Sequence, residues 1–344
     1  MLYSNHPIEN EEDNPVYFGL SQKTQTFKFE LEQGRFRAAN EFMVNGEVMD
    51  SMPRMKNNIF DPGSSGILAS GRLFKTRALL WGTLLFAMAL GFFFASVLGA
   101  GWMGLHGKWS YIPAIGLPLL ACLIYAILVR RFEHRKPWEF QIGLPMFSEI
   151  PIGFLFGGVF VAGMWVILWC VGLYTTHRGV WTRWFQDLVF DSYISAVLEE
   201  LAFRAILLRI FARIWGVRIG LILSSILFGL AHFSHGSWLA VLAIVINGGI
   251  AMGLLYVITG NLWMSIGMHL GYDFVETSFL GINNSHGFLI NLRRPDAVAW
   301  LTGGTFGPDA SVPGMVLGGV INVILWRLAF PPKDKNAIEF GARG

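Results

Sequence analysis

Eight apolar runs, parted by short polar stretches, leave this chain few folds to choose from. They fall at about 79–98, 111–129, 152–174, 188–210, 219–233, 238–258, 262–280 and 312–330. A helix needs about 20 apolar residues to cross a bilayer core. The pattern predicts an all-α integral membrane protein of about eight transmembrane helices. The composition agrees: 53% of the 344 residues are hydrophobic and 14% charged, against about 25% charged in soluble domains. Length alone would allow two soluble domains, but the runs point to one membrane body.

The charged residues that remain act mainly as topology signals. Net charge is only +3, and Lys and Arg gather at the ends of the apolar runs, which argues against a nucleic-acid surface. Clusters at 72–77, 130–136, 209–218 and 327–335 share one side if there are eight spans. The positive-inside rule makes that side cytoplasmic and puts both termini there. Arg178, Arg183, Arg293 and Arg294 lie on the opposite side. Residues 1–70 read as a polar, cytoplasmic N-terminal extension, with acids at Glu9, Glu11, Glu12 and Asp13 and strand-like alternation at 27–31. Residues 71–332 form the transmembrane domain and 333–344 a cytoplasmic tail. The first stretch is too polar and acidic for a secretory signal peptide. Cys122 and Cys170 fall in apolar runs without metal or redox spacing and read as small buried hydrophobes.

The fourth run breaks the apolar rule. Its LEELAFRAILL segment sets Glu199, Glu200 and Arg204 in membrane-helix material, where each central charge costs roughly 2.5–3.5 kcal/mol. Glu200 and Arg204 are four apart, share one face and can neutralise each other. Glu199 points about 100° away and lacks such a neighbour. Two further runs carry ionisable groups at helical spacing. His232 follows Phe228 by four residues, with His235 nearly a turn on, and His269 precedes Asp273 by four. An acid, two imidazoles and a second acid can hold a divalent metal such as zinc through Glu199, His232, His269 and Asp273. They can equally run water attack without one. In either case Glu199 takes the proton from water, His232 orients that water or helps bind the metal, and His269 donates to the developing oxyanion or acts as a ligand. Asn247, in the sixth run, reads as an interhelical hydrogen-bonding residue, and nearby Gly248, Gly249 and Gly253 as permitting close helix packing. Trp181, Trp184, Trp263 and Trp326 read as interface anchors.

EELAFR at 199–204, FGLAH at 228–232 and HLGYD at 269–273 resemble the EExxxR, FxxxH and HxxxN/D motifs of the CPBP family. These are intramembrane proteases related to type II CAAX prenyl endopeptidases and bacteriocin-processing enzymes. GPDA at 307–310 resembles a GPEG-like turn of some members. The resemblance implies a protease-like core over about 150–330 and an eight-helix bundle with a polar cavity holding Glu199, His232, His269 and Asp273. Glu200, Arg204 and Phe228 would support them. It implies an endopeptidase acting on a membrane-associated or lipidated peptide, with membrane lipid as the other partner. CAAX-cleaving members generally carry Asn where this chain has Asp273; an ionised Asp only accepts hydrogen bonds, which favours a metal-ligand role or one orienting His269, or else requires Asp273 to be protonated. Two other classes are compatible with the same residues: a non-catalytic member serving as membrane scaffold or immunity-type protein, and an ion-coupled carrier. The absence of an evident repeat between the halves disfavours the carrier.

Overall fold

The computed structural model describes residues 28–32, 35–39, 42–44, 47–49, 59–60, 65–233, 237–282 and 287–332. The chain divides into two compact units, Met1–Arg54 and Met55–Gly344. In the first, β1 (Lys28–Glu32) pairs antiparallel with β2 (Arg35–Ala39), and β3 (Phe42–Val44) with β4 (Glu47–Met49).

The second unit is mostly helical. Its longer helices are α1 (Phe74–Trp102), α2 (Gly107–Glu133), α3 (Leu144–Cys170), α4 (184–215), α5 (Val217–Ala231), α6 (Trp238–Thr259), α7 (263–279) and α8 (Val312–Ala329). Among the described residues, α1, α2, α3, α6 and α8 are long and apolar enough to cross a membrane. The other three are α4, rich in acids and arginines, and the shorter α5 and α7. Glu199, Glu200 and Arg204 lie on α4, His269 and Asp273 on α7, and His232 caps the end of α5, which is apolar but too short to count as a span. Residues just before α1 join this unit as well: Ile59 and Leu68 are fully buried, and Ile67 N–H donates to the Phe132 carbonyl at 2.8 Å.

One end of the bundle collects the start of α1, the turn between α2 and α3, and the junction of α4 with α5. Arg213 of α4 reaches the Leu68 carbonyl (3.3 Å) and the Ser70 hydroxyl (2.9 Å). The Leu262 N–H before α7 donates to the Glu139 carbonyl at 3.0 Å. The Arg218 guanidinium stands 5.0 Å from the Phe330 ring just past α8. At this end a buried ionic cluster joins α2 to α4. Glu133 accepts from Arg209 Nη1 and Nη2 at 2.8 and 2.7 Å, from Trp81 at 2.8 Å and from Arg135 Nε at 2.8 Å. Glu133 is wholly buried and Arg209 nearly so; only such complete pairing makes buried charges tolerable.

The cluster also grips a wide turn of α4. Residues Leu201–Leu208 form an i→i+5 stretch, the second in α4 after Asp187–Tyr193, a local widening common at functional sites. The Ala205 carbonyl within it accepts from Arg209 Nε at 3.0 Å, and the Tyr125 hydroxyl lies 3.0 Å away.

Glycines set the closest helix contact, α3 against α7. A Cβ on Gly153 or Gly157 would overlap the Met264 or Met268 carbonyl, and one on Gly267 or Gly271 the Ile150 or Phe154 carbonyl. Each helix thus presents a small-xxx-small pair to the other's backbone, a contact that van der Waals packing drives in lipid. This crossing fixes the helix that carries His269 and Asp273. At the opposite end of the bundle from the ionic cluster, β5 (Tyr174–Arg178) pairs antiparallel with β6 (Leu289–Arg293). Only Tyr174 falls within an apolar run; the other ribbon residues lie in the stretches that follow the third and seventh runs. Their ribbon is tied down by Tyr174, whose hydroxyl donates to the Thr302 carbonyl at 2.9 Å.

Candidate active site

Three helices bring the ionisable residues together. Glu199 and Glu200 precede the wide turn of α4 and, being neighbours in a helix, part company. Glu200 is fully buried, with Oε1 2.8 Å from Arg204 Nη1 and 2.9 Å from His269 Nδ1. The Arg204 guanidinium lies 4.4 Å from the Phe228 ring centroid and donates through Nη2 to the Gly248 carbonyl at 3.0 Å. Its Nη1 makes no aligned hydrogen bond, so its link to Glu200 is an ion contact.

Glu199 turns the other way. Its Oε2 is buried and lacks a hydrogen-bond partner, standing 3.7 Å from His232 Nε2 and 3.9 Å from His269 Nε2. Those gaps exceed a hydrogen bond and are of the size at which a shared water should be sought. His232 closes α5, where its Nδ1 lies 2.9 Å from the Phe228 carbonyl. A carbonyl only accepts, so Nδ1 carries the proton and a neutral His232 offers its Nε2 lone pair toward Glu199.

His269 and Asp273 sit one turn apart on α7, with Nε2 and Oδ2 3.4 Å apart. With Nδ1–H directed at the Glu200 carboxylate, a neutral His269 would set its Nε2 lone pair against the Asp273 and Glu199 oxygens. A proton on Nε2 or on the Asp273 carboxyl relieves that opposition, and either form supplies one donor at this spot.

The four residues border two adjoining cavities that share His232. A polar cavity of about 110 Å³ is lined by His232, Asn247, His269, Asp273, Glu276 and Asp309 among others. That volume accommodates several waters. Glu199 instead faces an apolar cavity of about 340 Å³ walled by Phe86, Leu90, Phe93, Phe94 and Phe203. His232 lines both. As a metal centre the arrangement is incomplete: among the described residues no three His, Cys, Asp or Glu side chains are placed to hold an ion. His235 lies outside the described residues.

Residues 180–275 match the family model for type II CAAX prenyl endopeptidase Rce1-like proteins. Over that stretch, under a third of the chain, the sequence is similar to this family. No curated protein and no solved structure matches the chain. The matched segment spans Glu199, Glu200, Arg204, Phe228, His232, His269 and Asp273.

Two acids of the polar cavity were missed in the sequence. Glu276 continues the His269–Asp273 face at i, i+4, i+7 and so was legible as a third member of that stripe. Asp309 sits in the GPDA turn, where burial holds its carboxyl up at about 6. Asn247 spans to that turn, donating through Nδ2 to the Asp309 carbonyl at 3.0 Å.

Proposed function

We propose that this protein is an intramembrane endopeptidase that hydrolyses a peptide bond of a membrane-associated or lipidated substrate. Glu199 acts as general base on a water held between its Oε2 and His232 Nε2. The water oxygen adds to the scissile carbonyl carbon as Glu199 takes its proton. The oxyanion that forms accepts a hydrogen bond from the donor at His269 and Asp273, and Glu199 returns the proton to the leaving amine. Glu200 holds the His269 ring by its Nδ1–H, and Arg204 offsets the Glu200 charge. No step is routed through a metal. The eight longer helices cross the bilayer, with the ionic-cluster end and both termini on the cytoplasmic side. Substrate approaches from the membrane through the apolar cavity at Glu199.

The observation that carries this reading is the Glu199 carboxylate oxygen, buried without a partner and within 4 Å of two imidazole nitrogens on separate helices. The test is cleavage of a membrane-anchored, fluorogenic peptide library by the protein in liposomes. Glu199→Gln should lower the rate by about 10²–10⁴-fold without lowering the melting temperature. Full cleavage by that variant would refute the assignment.

A further inference from the structure

We propose that the pocket between the end of α2 and the start of α3 binds the phosphate headgroup of an anionic phospholipid. Both helices qualify as membrane spans, so the short turn joining them lies at a membrane surface. A pocket of about 650 Å³ opens there, within the usual range for ligand sites. Its walls carry Arg130, His134, Arg135 and Lys136 and no acid. Arg135 is committed to Glu133. Arg130, His134 and Lys136 are exposed, and among the described residues none of them joins a carboxylate. Lys136 stands 5.5 Å from the Trp138 ring, which gives the pocket an amphipathic floor suited to the headgroup level.

The rim matches a lipid rather than a free anion. Ile142, Leu144 and Phe147 are 80%, 78% and 70% exposed beside the pocket, where acyl chains would cover them while the phosphate meets the cations. A basic pocket of this kind on the cytoplasmic side is the arrangement that recognises anionic headgroups. The site lies at the far end of α4 from Glu199 and stands independently of the protease reading.

The test uses the full chain in detergent, with melting temperature as readout. Dioctanoyl phosphatidylglycerol should raise it by about 2–4 °C, and dioctanoyl phosphatidylcholine or inorganic phosphate should not. The paired substitution Arg130→Gln with Lys136→Gln should remove the shift, whereas Arg72→Gln with Lys75→Gln, on the same basic side, should keep it. An absent shift, an equal shift with phosphatidylcholine or phosphate, persistence in the first variant, or loss in both variants alike would each overturn the proposal.

Discussion

Glu200 Oε1 lies 2.9 Å from His269 Nδ1, so the buried acid of the pair holds the ring that its neighbour Glu199 faces from the other side. Replacing the carboxylate with an amide keeps a hydrogen bond but lets the ring choose the wrong tautomer. Glu200→Gln should therefore lower kcat by about 10–100-fold with KM little changed. A KM effect alone would assign Glu200 to substrate binding instead.

Arg204 carries a different burden. It is 1% exposed, stacks on Phe228 and compensates Glu200. Arg204→Met should destabilise the fold by about 3–5 kcal/mol, because it strands a buried carboxylate. Adding Glu200→Gln should recover much of that loss. Thermal denaturation of the two variants measures both effects, and equal instability in the two would show that stacking on Phe228 dominates.

Asp309 gives a pH signature. Burial raises its carboxyl from 3.8 to about 6 in the folded chain. Between those values the folded state keeps a proton that the unfolded state has released, so stability is fully present below about pH 3.8 and declines as pH rises through about 6. Asp309→Asn should flatten this part of the stability profile. A slope unchanged by the substitution would place the titration elsewhere.

Chelation tests the donor set. No three candidate ligands are placed to hold an ion among the described residues, so EDTA should leave cleavage within about twofold of the untreated rate. Loss of activity that zinc restores would show that the side chains rearrange around a metal.

Much of the site was legible because membrane helices make charge conspicuous. Four-residue spacing brought Glu200 to Arg204 and His269 to Asp273, and Glu199 stood out by lacking such a partner. The bond between Glu200 and His269 was not legible, since it depends on how α4 and α7 are rotated against each other. Glycines on α3 and α7 set one side of α7, and their register exists only once those helices are paired. The β5–β6 ribbon was hidden for a similar reason: its strands are far apart in sequence, and neither looks like a strand by itself. The span signal blurred most where function concentrates, in α4, α5 and α7.

The ionic cluster has a mechanical corollary. By clamping Arg209 to Glu133 and the Ala205 carbonyl to the Tyr125 hydroxyl, it moors one end of the helix bearing both glutamates. Sliding that helix would tear open a buried ion pair at about 3–5 kcal/mol, whereas α1 is tied to the cluster, among the described residues, by the single Trp81 bond to Glu133 and borders the Glu199 cavity through Phe86, Ala89, Leu90, Phe93 and Phe94. On the proposed reading a greasy substrate enters past residues 86–94 of α1, which lie beyond the Trp81 anchor, against a stationary α4. A disulfide tethering α1 to α4 should block turnover reversibly, while one tethering α2 to α4 should leave it running.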